Sequence, residues 1–147
     1  MARVLVVDDE TAISLLLEYY LGSVGHAVTS ARSPLGSLSW LDMEEFDVVV
    51  MDVMMPGPMN GLDVCRVLKE DPRTSGTRVL IISGVPDVES RAVAAGADAF
   101  LQKPFHLDEI GKFVDTLAEV KPRAGATCPG SLERAIQAYD HMTADAM

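Results

Sequence analysis

The chain has 147 residues, 48% of them hydrophobic and 23% charged, with a formal net charge of -10. That length predicts one domain with a core of ordinary size, and the acidic balance repels phosphate backbones, which argues against nucleic acid as a partner. Two cysteines, Cys65 and Cys128, are too few and too far apart for a disulfide framework or a metal knuckle, so a reducing, cytoplasmic setting is the expectation. The opening Met-Ala-Arg runs through Val-Leu-Val-Val straight into charge, and no run approaches the ~18 apolar residues of a membrane span.

Five short apolar runs predict strands: Val4–Val7, a weaker one at Ala27–Thr29, Val48–Met51, Val79–Ile82 and Ala99–Leu101. They are continuous rather than alternating, the pattern of strands covered on both faces. Helical spacing fills the intervals. Ile13, Leu16, Leu17, Tyr20 and Leu21 form one stripe, ended by Gly22 and Gly25. Ser33 and Pro34 read as cap and first residue of a second helix through Leu38 and Leu41. Leu62, Cys65, Leu68 and Lys69 predict a third, stopped before Pro72. A short fourth covers Val88 to Ala95, and Leu107, Ile110, Phe113, Val114 and Leu117 make a fifth. Strict alternation predicts an α/β fold: a doubly wound, five-stranded parallel sheet with helices on both faces. From Pro122 the texture changes to a linker, Pro122–Ala126 and Pro129-Gly130. A Ser131-capped amphipathic helix follows, carrying Leu132, Ala135, Ile136, Tyr139 and Met142 on one face. The division is therefore 1–121 for the domain and 122–147 for linker and helix, with no room for a second domain.

Ligands of such sheets bind beyond the carboxyl ends of the strands. The first strand ends in Asp8-Asp9-Glu10, the third in Asp52, the fourth in Ser83-Gly84 and the fifth in Lys103-Pro104-Phe105. Like charges ~4 Å apart cost about 4 kcal/mol per pair at an effective dielectric of ~20. One lysine cannot offset three carboxylates, so a hard divalent cation is the natural remainder, and Mg²⁺ suits few carboxylates with room for a phosphate. Taken singly each position has a bland explanation: Asp8 and Asp9 as helix caps, Asp52 as a turn residue, Phe100 as core. Four strand ends that all carry the required type outweigh it.

The combination of Val-Leu-Val-Val-Asp8-Asp9-Glu10, Asp52-Val-Met-Met55-Pro56, Ile-Ile-Ser83 and Gly96-Ala-Asp-Ala-Phe100-Leu-Gln-Lys103-Pro104-Phe105 resembles the receiver domain of two-component response regulators, over about residues 2 to 120. The resemblance implies a flavodoxin-like receiver fold, to which the tail adds a C-terminal helix. It implies Asp52 as phosphoacceptor, with Asp9, Asp52 and the Met54 backbone carbonyl on Mg²⁺ and Asp8 acting through water. Ser83 would hydrogen-bond the acyl phosphate, Lys103 pair with it, and Phe100 stand at the aromatic switch position. Pro56, Gly61 and Pro104 would shape loops. The implied partners are a histidine kinase or histidine phosphotransfer protein and an unidentified downstream protein, and the domain would be no enzyme beyond its own phosphorylation and dephosphorylation.

The chain departs from that pattern in four places. The loop from Met55 to Gly61 is about one residue long, with Asn60 where Asp is common. Gly84 replaces a small Ala, the stretch from Ser83 to Lys103 is about two residues short, and Phe100 lacks the phenol of the commoner Tyr. Two other classes compete with the phosphorylated receiver. One is an unphosphorylated scaffold that homodimerises, for which the tail helix is the candidate. The other is a Mg²⁺-dependent aspartyl phosphohydrolase, which usually places an Asp two residues after the nucleophile, where this chain has Met54.

Overall fold

A computed structural model describes residues 1–119. The expected linker and amphipathic helix of 122–147 lie outside the described residues. Five strands and five helices alternate: β1 (Arg3–Val7), α1 (Thr11–Ser23), β2 (Ala27–Ala31), α2 (Pro34–Met43), β3 (Val48–Asp52), α3 (Gly61–Glu70), β4 (Arg78–Ser83), α4 (Glu89–Ala94), β5 (Ala99–Gln102) and α5 (Leu107–Glu119). All strand pairs are parallel, in the order β2-β1-β3-β4-β5. This is the flavodoxin-like fold, and every element anticipated from the apolar runs is present with ends displaced by one or two residues.

The central strands are closed off from water on both sides. Val4 through Val7, Val48 through Met51 and Val79 through Ile82 are fully buried, each contributing on the order of 1.5–3 kcal/mol of transfer free energy. Right-handed crossovers put α1 and α5 on one face of the sheet and α2, α3 and α4 on the other. Helix ends follow local chemistry. The Ser33 hydroxyl accepts from the Gly36 N–H at 2.9 Å with Pro34 opening α2, as its cap-and-proline pattern predicts.

The stripe expected on α1 needs one correction. Ser14, Leu17 and Leu21 are buried and Ile13 and Tyr20 partly so, but Leu16 is 51% exposed. Leu15 and Tyr19 are exposed with it, so α1 is apolar nearly all round and its periodicity could not say which side faces the sheet. Helix α4 has six residues, the shortest among those described, as the shortened stretch before Lys103 requires.

The chain leaves β1 toward β2 on one side and returns to β3 on the other. The carboxyl ends of β1 and β3 therefore flank the point where the strand order reverses, which opens a crevice. No helix among the described residues is long and apolar enough to cross a membrane.

Candidate functional site

Asp8 follows the last residue of β1 and Asp52 ends β3, on neighbouring strands whose register pairs Val7 with Met51. Both are almost sealed from water, Asp8 at 0% and Asp52 at 3% exposure. Asp9 is the more open member, and carboxylate oxygens of Asp8, Asp9 and Asp52 all lie within 4.8 Å of one another. From the far side of β4, Lys103 reaches over the strand ends. Its Nζ lies 3.3 Å from Asp8 Oδ2, 3.4 Å from Asp52 Oδ1 and 3.7 Å from Glu10 Oε1. Lys103 is held there by its own backbone, whose N–H donates to the Ser83 carbonyl at 2.8 Å. The Lys103–Pro104 peptide is cis.

The electrostatics show a pocket with more negative charge than it can neutralise. Burial, reinforced by the Asp8 carboxylate, pushes Asp52 up to about 6 despite the nearby ammonium. Burial likewise raises Asp8 above the usual carboxylate range, against the opposing hydrogen bond from the Glu10 N–H and the attraction of Lys103. Burial pulls the Lys103 ammonium down, but the Asp52 and Asp8 carboxylates outweigh it and hold the group above its ordinary value. Three hard oxygen donors sharing one ammonium fit a small divalent cation such as Mg²⁺, which would restore both carboxylates to their ionised form.

Asp8 also has a structural task. Its Oδ1 accepts from the Glu10 N–H at 2.9 Å, and its backbone carbonyl accepts from the Ser14 hydroxyl at 3.1 Å. It thus shapes the turn into α1, whose cap residue is Glu10; neither Asp8 nor Asp9 is the cap.

The expected residues divide into those brought together and those held apart. Asp8, Asp9, Asp52 and Lys103 converge, and Glu10 joins them through Lys103. Ser83 is fully buried at the end of β4, but its hydroxyl accepts from the Val85 N–H at 3.1 Å and so is engaged with its own loop. Phe100 is 6% exposed in β5, opposite Ile81 in register. The Met54 side chain is 62% exposed beside the pocket.

The loop after Asp52 explains two sequence peculiarities. Asn60 caps α3, its side chain accepting from the Leu62 and Asp63 N–H groups at 2.9 and 3.1 Å, while Asp63 accepts from the Asn60 N–H at 2.9 Å. Asn caps as well as Asp, so its presence costs the loop nothing. Gly57, at φ +107, absorbs the turn of the lengthened loop. Gly61 is required for a different reason: a Cβ there would run into the Asp52 carbonyl oxygen and come within 2.8 Å of Met51 Cγ. The glycine brings the start of α3 directly against the backbone that carries Asp52. Gly61→Ala is therefore expected to cost about 1–3 kcal/mol of stability and to slow modification of Asp52. Thermal melts together with phosphorylation rates check both, and unchanged values for the variant would refute the tight contact. At Gly84, by contrast, a Cβ would meet nothing nearer than Lys103 Cβ at 3.9 Å, so space does not impose that glycine.

One buried cluster escaped the sequence reading. At the opposite end of the sheet Asp98 Oδ2 accepts from Lys69 Nζ at 2.7 Å and from the Val79 N–H at 2.8 Å, and its Oδ1 from Arg78 Nη1 at 3.3 Å. The signal was available in Gly96-Ala-Asp98, but the three partners are remote in sequence.

Comparison with known proteins agrees with this geometry. The family model described as response regulator receiver domain matches residues 4–115. The transcriptional regulatory protein TcrA of Mycobacterium tuberculosis is 34% identical over 108 residues, which are 74% of this chain and 42% of that protein. The chain thus spans less than half the length of that relative. Chemotaxis response regulator CheY4 of Vibrio cholerae superposes with a TM-score of 0.74 at 28% identity, covering 80% of this chain and 98% of that one. Response regulator protein TrrA of Thermotoga maritima, in complex with Mg(2+)-BeF, gives a TM-score of 0.72 at 28% identity over 80% of this chain and 99% of that one. With a buried Asp52 ringed by Asp8, Asp9 and Lys103 at the strand ends of this sheet, the chain belongs to the response regulator receiver domain family.

Proposed function

We propose that residues 1–121 act as a phosphorylation-controlled signalling module of the cytoplasm, in which Asp52 accepts a phosphoryl group from the phosphohistidine of a histidine kinase or phosphotransfer protein. The observation that carries this is Asp52 itself: a 3%-exposed carboxylate within 3.4 Å of an ammonium and beside two further carboxylates. An Asp52 carboxylate oxygen forms the new O–P bond as the P–N bond of the donor breaks, and the donor nitrogen takes up a proton. Positioning and charge neutralisation do most of the work in such a transfer.

The residues divide that work. Lys103 already sits between Asp8 and Asp52 and would pair with a phosphoryl oxygen. Asp9 and Asp52, with the Met54 carbonyl and with Asp8 through water, would hold Mg²⁺. When bound, the ion supplies the charge that lets a carboxylate and a phosphoryl group approach one another. TrrA in complex with Mg(2+)-BeF supports that assignment by likeness. The Ser83 hydroxyl, now accepting from Val85, would turn its proton to the acyl phosphate. Movement of the Gly84–Val88 loop would then be felt by Phe100 on the adjoining strand, giving a partner two surfaces to tell apart. Pro56, Gly61 and Pro104 keep the surrounding loops in register.

Incubation with acetyl phosphate, followed by intact mass measurement, tests the reading. One phosphoryl group per chain is expected with Mg²⁺ present, and its formation should fall by at least tenfold when the metal is chelated. A wild-type protein that takes up no phosphoryl group in Mg²⁺ would overturn the assignment.

A further inference from the structure

The geometry points to Glu10 as a positioning residue that holds the Lys103 ammonium back from a phosphoryl donor, so that losing its contact quickens phosphorylation of Asp52. This rests on Asp52 being the phosphoryl acceptor. An ammonium carries three N–H donors and no more, and three carboxylates face this one. Lys103 Nζ lies 3.3 Å from Asp8 Oδ2, 3.4 Å from Asp52 Oδ1 and 3.7 Å from Glu10 Oε1. A phosphoryl oxygen that pairs with Lys103 must therefore displace one of them.

Glu10 is the one that can yield. The Asp8 side chain is fully buried, and its other oxygen is tied to the Glu10 N–H. The Asp52 side chain is buried at the end of β3 and must stay to form the bond to phosphorus. The Glu10 side chain is 60% exposed, so it loses little by turning into water. A cation would not silence it either. The carboxylates close enough to share one are Asp8, Asp9 and Asp52. With those three neutralised, Glu10 keeps its charge and becomes the chief rival of the donor for Lys103.

A second observation comes from the start of α1. Glu10 stands at the N-cap, where a short side chain normally accepts from the first N–H groups of a helix. Ser33 does so for α2 and Asn60 for α3. Glu10 makes no such bond, and the first turn of α1 holds no acidic residue. The helix thus begins on a side chain that caps poorly but is long enough to reach Lys103. Local stability is given up for that reach, as happens where a residue serves function.

Glu10→Gln and Glu10→Asp separate contact from charge. The first keeps the length and removes the charge. The second keeps the charge but withdraws it by one C–C bond, ~1.5 Å, to where it can cap α1. Acetyl phosphate is supplied below saturation, with Mg²⁺ saturating for each protein. Both variants are expected to take up the phosphoryl group about two- to fivefold faster than wild type, the worth of one largely exposed ion pair. In the metal-free protein Glu10→Asp should also melt ~2–4 °C higher, from the new cap. Either variant phosphorylated no faster than wild type would overturn the proposal. In particular, a gain for Glu10→Gln alone would show that the field of the charge, not the contact, controls the donor. A melting temperature no higher for Glu10→Asp would overturn it too, because no cap would have been given up. A wild-type protein that takes up no phosphoryl group would instead remove Asp52 as acceptor, and this role of Glu10 with it.

Discussion

Asp52→Asn is expected to abolish phosphoryl uptake completely while making the metal-free protein more stable at neutral pH. The first half follows from the loss of the nucleophilic oxygen, since no other carboxylate in the cluster ends β3. The second half follows from the charge balance. An ordinary Asp titrates near 3.8 in the unfolded chain, but burial and the Asp8 carboxylate push the native group up to about 6. Between those values the native state holds more protons than the unfolded one. Stability contributed by this group is therefore greatest at low pH, falls as pH rises from about 4 to 6, and stays low above. The gap corresponds to at most about 3 kcal/mol, part of which Asn forfeits by losing Lys103, so a gain of about 1–2 kcal/mol at pH 7.5 is expected. Urea denaturation of both proteins at pH 5 and pH 7.5 checks it. The difference between them should shrink at the lower pH, and Mg²⁺ should stabilise the wild type more than the variant, because a ligand of the native state stabilises in proportion to its affinity. A variant less stable than wild type at pH 7.5 without metal would contradict the charge argument.

Asp98→Ala is the change expected to damage the fold most without touching the chemistry. Its carboxylate is 7% exposed and faces Lys69 and Arg78, whose side chains are 17% and 11% exposed. Truncation leaves the Val79 N–H without its carboxylate acceptor and the Lys69 ammonium with the backbone carbonyls of Thr77 and Ser75. Removing one partner of a buried ion pair costs about 3–5 kcal/mol, because the remaining charge stays desolvated. A lower urea midpoint with an unchanged slope is expected. The folded fraction should still phosphorylate at the wild-type rate, since this cluster joins the amino ends of β4 and β5 and the pocket lies at the other end of the sheet. A loss below about 0.5 kcal/mol would show that the cluster only breaks even against its desolvation.

These two residues mark how much could be read in advance. Asp52 was legible because its neighbours in the pocket all sit at strand ends. Once five apolar runs alternate with helical stripes, parallel topology alone sends Asp8, Asp9, Asp52 and Lys103 to one edge. Asp98 was not, because nothing local ties it to Lys69 and Arg78. The same limit appears in α1, where a helix apolar nearly all round put Leu16 in the expected core stripe, whereas packing buries Ser14, Leu17 and Leu21 and leaves Leu16 exposed.

By itself, then, the order of residues determined the fold class and the acidic edge, since these follow from periodicity and from charge counted per strand end. Tertiary structure decided what depends on distance: the sharing of Lys103 among Asp8, Asp52 and Glu10, the Ser83 hydroxyl turned to Val85, and the closeness that makes Gly61 obligatory. Coulomb energy and steric overlap change within an ångström, whereas sequence spacing places a side chain only on a face or at an end.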